Sequence, residues 1–465
     1  MFSTVLIANR GEIALRVART CRELGIRTVA VYSTVDRDSA VVRFADEAVH
    51  IGPPPSKRSY LHIPSIIEAA LQTGAEAIHP GYGFLSEDPD FAEVCETNGI
   101  TFVGPPAKIM RQLGDKAVAR ALMAQAGLPV LPGSHEALTG PLAAQETART
   151  VGFPVILKAV AGGGGRGMAV VRNAEDLSRA YSRTSAHARA VFGDERLYLE
   201  RFVEDARHIE VQVLRDTHGT TVHLGERDCS VQRRHQKLIE ESPGPGLPED
   251  VRAAICAAAV QGAAAVGYVG AATFEFVLTP DDEFYLMEIN CRLQVEHPVT
   301  EMVTGIDIVR EQLFVAAGQP LTIGQDDVRP RGVALECRVN AEDPAREFAP
   351  TPGLLSEFVQ PGGQFVRVDT HAYPGWYVGP DYDSLLAKAV VWAPDRPQAL
   401  ARMDRVLSEF RIDGCGVRTT IGFLRKVLAR EEFRTARHTT GLVDAMAAEA
   451  TAQPELEEAP AEVVT

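Results

Sequence analysis

The sequence predicts a multidomain protein of α/β and α+β class. Its expected order is an N-terminal α/β domain on a parallel sheet, a central domain built around a glycine-rich loop, and a C-terminal mixed α+β domain. Three observations predict this. The early part of the chain alternates short apolar runs with helical patterns, as strand–helix–strand units of a parallel sheet do. Residues 155–171 read as strand, glycine loop, strand. Beyond Gly332 the chain turns strand-rich, with Pro and Gly at the turns. At 465 residues and 45% hydrophobic content, the chain is too long for one ordinary core.

The elements follow in order. Residues 5–8, 28–32 and 48–51 are expected as strands, and 12–24 and 63–71 as helices. Asn9-Arg10-Gly11-Glu12 falls at the first strand-to-helix turn, where an anion can meet a helix start. It lacks G-x-G-x-x-G, so a nicotinamide cofactor gains little support. His79-Pro80-Gly81-Tyr82-Gly83-Phe84-Leu85-Ser86-Glu87 is either a turn over a buried Phe or the rim of a substrate site. Asp115-Lys116 opens a helix, and residues 129–133 read as a hinge. A helix through Ala190 precedes strands at 197–200 and 208–214, and 248–266 is an Ala-rich helix. Residues 271–278 and 284–289 read as paired strands around the turn Pro280-Asp281-Asp282. Residues 416–430 are expected as a late helix. The Ala-, Glu- and Pro-rich tail from 448 is expected to lack structure.

Composition excludes several classes. A formal net charge of -15 and a pI near 5.4 argue against nucleic acid or an anionic membrane as partner. No apolar run approaches the roughly 20 residues of a membrane span. Seven cysteines, widely spaced and without C-x-x-C, argue against disulfide frameworks and zinc sites. With no leader ahead of the first strand, a cytoplasmic protein is expected.

Three clusters carry chemistry. Four consecutive glycines after the strand ending in Lys158 let backbone N–H groups approach phosphate oxygens, and no Walker A Lys-Ser/Thr follows. A flap over a triphosphate is favoured over a plain linker. Lys116 and Lys158 are candidates to neutralise phosphates. Glu275 and Glu288 alternate with apolar neighbours on the two paired strands. With Asn290 they suit Mg²⁺, which takes few protein ligands beside phosphate oxygens. In Glu288-Ile289-Asn290-Cys291-Arg292-Leu293-Gln294-Val295-Glu296, read as extended, alternate side chains share one face. Arg292 can hold a planar oxyanion in bidentate fashion, and Glu296 can serve as base. His297 beside Pro298 is expected to set a backbone turn. His235 and Lys237 lie in a charged stretch that is either a substrate contact or a surface loop.

Taken together, these motifs resemble the biotin carboxylase family of ATP-grasp enzymes, over nearly all of the chain to about residue 447. The resemblance rests on Ile7-Ala8-Asn9-Arg10-Gly11-Glu12-Ile13-Ala14, the loop from His79 to Glu87, Lys158 with the glycine loop to Met168, and Arg207-His208-Ile209-Glu210. It rests also on Gln232-Arg233-Arg234-His235-Gln236-Lys237, residues 288–300, and Glu336-Cys337-Arg338-Val339-Asn340-Ala341-Glu342-Asp343-Pro344. It implies an N-terminal domain over 1–113, an ATP-grasp domain over 114–330 with a mobile lid at 131–202, and a C-terminal domain over 331–447. It implies the conversion of ATP, bicarbonate and biotin to ADP, phosphate and carboxybiotin. Lys116, Lys158, Gly163, Gly164, Gly165, Met168, Glu200, Arg201, Val203, His208, Gln232 and His235 match positions around ATP. Glu275 and Glu288, with Asn290, match ligands of Mg²⁺ or Mn²⁺, two ions being expected. Lys237, Arg292, Gln294 and the Val295 backbone match a bicarbonate pocket. Glu296 matches its base, Arg338 the residue that steadies the biotin enolate, and Tyr82 and Gly83 a biotin-side contact. Departures from the family pattern lie at Val333, Gly363-Gln364-Phe365-Val366 and Val378-Gly379-Pro380-Asp381-Tyr382.

No Met-Lys-Met signature is present, so biotin is expected on a separate carrier protein. A carboxyltransferase subunit and a homodimer are the further partners the resemblance implies, in an acyl-CoA carboxylase or its pyruvate carboxylase equivalent. Two other readings stand beside it: an ATP-grasp ligase joining a carboxylate to an amine, and a non-catalytic nucleotide-binding subunit.

Overall fold

The computed structural model describes residues 1–134, 136–161 and 167–452. Strands β1 (Thr4–Ile7), β2 (Arg27–Ser33), β3 (Glu47–Gly52), β4 (Ala77–His79) and β5 (Thr101–Phe102) form a parallel sheet of order β3-β2-β1-β4-β5. Every residue of β1 is buried, because helices cover both faces of such a sheet. Successive side chains alternate: Val5 and Ile7 join one core with Ile13 and Val17, while Leu6 and Ala8 join another with Val29 and Ile66. The loops after β1 and β4 meet at the carboxyl ends of their strands, where open α/β sheets bind ligands. Asn9 Nδ2 ties them by donating to the carbonyls of Pro80 at 2.6 Å and Tyr82 at 2.7 Å. Gly81 has φ +63°, and a Cβ there would press on Ile13 and Asn9, so only glycine fits. The helix start suggested as an anion site carries the chain's own buried Glu12, and Arg10 pairs with Asp36 at 2.8 Å.

The segment expected as a lid has its own sheet and core. β6 (Val155–Ala159), β7 (Met168–Val171) and β8 (Leu197–Arg201) pair antiparallel in the order β7-β6-β8. Helices Pro141–Val151 and Ala174–Phe192 enclose a core of Leu138, Val155, Leu157, Val171, Leu177 and Leu199. Gly163, Gly164 and Gly165 lie outside the described residues. At the expected hinge, Gly133 bridges Glu200 of β8. A Cβ at Gly133 would sit 2.3 Å from the Leu199 carbonyl oxygen, so a side chain is excluded there.

β9 (Arg207–Arg215), β10 (Thr221–Arg233), β11 (Gln236–Ser242), β12 (Gly270–Leu278), β13 (Phe284–Asn290) and β14 (Val333–Asn340) share one sheet with strands Leu385–Ala393 and Val366–Thr370. The order is β13-β12-β9-β10-β11-β14, then Leu385–Ala393 and Val366–Thr370. The boundary expected at residue 330 is therefore a break in the chain's path and not in the sheet, since β11 pairs with β14 from Ile239↔Cys337 to Ser242↔Ala334. The strand-rich C-terminal region also carries the helix Arg396–Glu409, packed through Ala399, Met403 and Val406. The late helix is shorter than expected, Ile421–Ala429. A last helix, Leu442–Ala452, runs into the stretch expected to be without structure from 448. Among the described residues no helix is long and apolar enough to cross a membrane.

A buried ion network joins three elements of this frame. Glu301, in the helix His297–Thr304, accepts from Arg16 at 2.8 Å and Arg367 at 2.7 Å. Burial alone would raise the Glu301 carboxyl, but Arg16, His297 and Arg367 hold it well below the ordinary 4.5. A depressed carboxyl contributes stability that is full above its unfolded value and is lost as the pH falls below it. Glu301→Gln is expected to cost about 1.5–3 kcal/mol at pH 7, because Arg16 and Arg367 each lose one charged partner and keep only Asp307 and Asp369. It should also flatten the fall in the urea midpoint below about pH 4.5.

Candidate active site

The register of the large sheet builds the site. Glu288 of β13 stands opposite Glu275 of β12, Glu275 opposite Glu210 of β9, and Glu210 opposite Arg227 of β10. Paired residues project from the same face, so three carboxylates and a guanidinium form a row across four strands. Glu210 and Arg227 are fully buried and Glu275 nearly so. Arg227 donates to Glu210 at 2.6 Å, Thr300 at 2.9 Å, Gln212 at 3.0 Å and Thr273 at 3.2 Å. The sequence reading did not assign Glu210 or Arg227 a role. The alternation of His208, Glu210 and Gln212 was the available signal.

Lys237 balances the row. It follows a two-residue hairpin turn in which Arg234 and His235 both have positive φ, 48° and 65°, the geometry that matches strand twist. Its Nζ lies 2.5 Å from Glu210, 2.6 Å from Glu296 and 2.9 Å from Glu275. Burial disfavours the ammonium, but these three carboxylates hold Lys237 well above its ordinary value. Burial would likewise raise Glu296, yet Lys237, Arg338 and Arg227 hold it well below the usual carboxylate range. Glu275 is lowered in the same way, against burial, by Lys237 and His208. The His208 Nε2 to Glu275 distance is 3.1 Å.

The segment after Asn290 departs from the extended reading. β13 ends at Asn290, and Glu296 directly precedes the helix His297–Thr304. The side chains converge through turns. Asn290 Nδ2 and Gln294 Nε2 both donate to Glu275 Oε1, at 2.8 and 3.3 Å. Arg292 donates to Gln294 Oε1 at 2.7 Å and Asn290 Oδ1 at 3.2 Å. His297 is buried, and its Nδ1 stands 2.7 Å from the Gln294 carbonyl, the turn-setting role expected of it. Glu87 of the N-terminal domain, unassigned in the sequence reading, accepts from Arg292 Nε at 2.9 Å and from the Cys291 N–H at 2.8 Å. Arg338 reaches Glu296 at 3.0 Å and Glu240 at 2.6 Å.

Lys237, Glu275, Glu288, Arg292, Glu296 and Arg338 line a cleft of about 1380 Å³. Its other end holds Lys158, 2.6 Å from Glu200, which also accepts from Arg120 at 2.5 Å. Lys116 pairs with Glu288. Met168, Arg201, Val203, Gln232 and His235 line the same cleft, as do Tyr82, Gly83 and Val295. The Tyr82 hydroxyl donates to Glu12. For a divalent ion, Glu275 and Glu288 offer hard oxygens from adjacent strands, and the ammonium groups of Lys237 and Lys116 now stand beside those same carboxylates. That donor set fits Mg²⁺. Asn290 is less available than expected, since its Oδ1 accepts from Arg292.

Three family models match the chain in succession. They are the biotin carboxylase N-terminal domain over residues 1–110, the carbamoyl-phosphate synthase L chain ATP binding domain over 115–323, and the biotin carboxylase C-terminal domain over 336–445. Biotin carboxylase 1 of Bacillus subtilis is 51% identical over 445 residues, 96% of this chain and 98% of that protein. The structure of a Campylobacter jejuni biotin carboxylase with a β,γ-ATP ligand aligns at TM-score 0.94 and 46% identity, covering 96% of this chain and 99% of that one. The biotin carboxylase domain dimer of Hydrogenobacter thermophilus 2-oxoglutarate carboxylase, with MgADP, ADP and bicarbonate, aligns at TM-score 0.93 and 45% identity, over 96% and 98%. With its three domains matched in order and its cleft built from the charged residues that first suggested the resemblance, this chain belongs to the biotin carboxylase family.

Proposed function

We propose that the protein carboxylates biotin on a separate carrier protein, using ATP and bicarbonate through carboxyphosphate, as the first half-reaction of an acyl-CoA carboxylase. The observation that carries this reading is the Glu296 carboxylate held between Lys237 at 2.6 Å and Arg338 at 3.0 Å, in one cleft with Arg292 and the Glu275–Glu288 pair. Bicarbonate is a planar oxyanion, and Arg292, Gln294, Lys237 and the Val295 backbone are the groups that hold it. Arg292 is preset for that by Glu87, which fixes its Nε and leaves its position little freedom. Lys158, Lys116, His208, Gln232, His235, Glu200, Arg201, Val203, Met168 and the glycines Gly163, Gly164 and Gly165 are assigned to ATP.

Glu296 is ionised and ready to take a proton, but its cationic neighbours make it a weak base. When bicarbonate enters, Lys237 and Arg338 turn part of their charge toward the substrate. The Glu296 carboxylate then regains basicity as its own stabilisation falls. Bicarbonate loses its proton to Glu296 and attacks the γ-phosphorus, displacing ADP and giving carboxyphosphate. Carboxyphosphate breaks down to CO₂ and phosphate, phosphate removes the biotin N1′ proton, and the enolate, steadied by Arg338 with Tyr82 and Gly83 at the biotin edge, adds through N1′ to CO₂ to give carboxybiotin. Glu275 and Glu288, with Asn290 nearby, would hold Mg²⁺ or Mn²⁺, two ions in all, and the metal would supply charge neutralisation for the phosphates.

The carrier, a carboxyltransferase subunit, a homodimer and a cytoplasmic setting complete the reading. The free state of all seven cysteines supports a reducing compartment. The equivalent role beside a 2-oxo acid carboxyltransferase is the second reading. It is favoured by the 2-oxoglutarate carboxylase domain that this chain matches at 45% identity.

Phosphate release, measured with bicarbonate and free biotin omitted in turn, tests the proposal. Turnover is expected to require bicarbonate and to rise with biotin. Turnover that ignores bicarbonate, or that answers to an amine acceptor, rejects it. Glu296→Gln is expected to lower kcat by about 10²–10⁴, the usual range for a lost general base. Glu288→Gln should raise the Mg²⁺ concentration for half-maximal phosphate release, with the bicarbonate KM little changed.

A further inference from the structure

Lys388 has no part in the chemistry above, yet its placement is unusual for a lysine. It lies within the strand Leu385–Ala393 and is 0% exposed. A buried ammonium is costly unless its charge and its protons are met. Its Nζ donates to the Val295 carbonyl at 2.8 Å, and lies 3.1 Å from Glu12 Oε1 and 3.9 Å from Asp369 Oδ2. These partners come from three parts of the chain: the turn before Glu296, the first helix of the N-terminal domain, and the edge strand Val366–Thr370.

Strand register explains the aim of the side chain. Lys388 stands opposite Arg338 on one side and Asp369 on the other. Residues so paired share a face, so Lys388 projects beside Arg338 toward the cleft. It stops one layer short, at the peptide behind the site. That peptide joins Val295 to Glu296. Its six atoms are coplanar from the Cα of one to the Cα of the other. A donor fixed on the Val295 oxygen therefore fixes the plane on which the Glu296 side chain is mounted.

We propose that Lys388 is a positioning residue for the oxyanion pocket, clamping the Val295–Glu296 peptide and anchoring it to the N-terminal domain through Glu12. The inference rests on the reading of Glu296 as the group that acts on bicarbonate. Neutralising Glu12 is the competing role for this ammonium, and the two roles separate experimentally. Glu12 also accepts from the Tyr82 hydroxyl, so the same ammonium links the two walls of the cleft.

Lys388→Met keeps an unbranched side chain one atom shorter and removes the donor. Lys388→Met with Glu12→Gln removes the donor and the buried unpaired carboxylate together. Bicarbonate-dependent phosphate release is measured for both variants against bicarbonate and against ATP, beside the thermal midpoint. Clamping predicts a bicarbonate KM raised about 10- to 100-fold in both variants, the range for losing one hydrogen bond from a charged donor. The KM for ATP should stay within about twofold, since the nucleotide groups lie elsewhere in the cleft. The double variant should recover midpoint without recovering bicarbonate affinity. A bicarbonate KM that returns to the wild-type value in the double variant, or never leaves it in the single one, overturns the proposal. Should Lys388→Met fail to fold, the double variant alone decides by the same criterion. A wild-type protein that shows no bicarbonate dependence fails the functional reading instead, and is recognised before any variant is compared.

Discussion

A single ammonium set among three buried carboxylates is the constraint on which the rest of this molecule depends. Lys237 touches Glu210, Glu275 and Glu296 within 2.9 Å. Burial disfavours the charged form of all three acids; Lys237, with a second cation at each site, holds Glu275 and Glu296 well below the usual carboxylate range, whereas Glu210 stays raised. Arg227 takes the far side of Glu210, and Arg338 the far side of Glu296. The groups are thus oriented before substrate arrives, and little reorganisation is left for the moment of reaction.

That arrangement requires four separate stretches of chain to meet. Glu210 and Glu275 stand on the adjacent strands β9 and β12, Lys237 arrives over a two-residue turn, and Glu296 comes from the end of an irregular segment. Glu87 crosses from the N-terminal domain to hold Arg292 and the Cys291 N–H. Residues 131–202 take no share in this core: their apolar cluster is their own, and Glu200 and Lys158 reach the same cleft from that side.

Much of this was legible in the sequence, for identifiable reasons. The period-two pattern around Glu275 and Glu288 reported two strands and the face of each acid, and the structure pairs those two residues in register. The helical and apolar runs of the N-terminal domain were long and regular enough to read. What failed was the extension of strand phase past Asn290, because a turn carries no period. Glu210 and Arg227 escaped because their meaning lies in which strands become neighbours, a non-local fact. Glu87 escaped because a glutamate in a loop has no pattern to mark it. The continuity of the sheet across residue 330 was hidden because Gly332 and the prolines before it resemble a linker, while the pairing of β11 with β14 is decided by their partners.

That pairing has an outcome for anyone dividing the protein. A fragment stopping at residue 330 would leave β11 with an open row of N–H and C=O groups on the side where β14 belongs. The complementary piece would expose β14 in the same way, together with its own apolar Leu335, Cys337 and Val339. Neither half is a free-standing module, and recombination at that point would trade one buried seam for two adhesive borders.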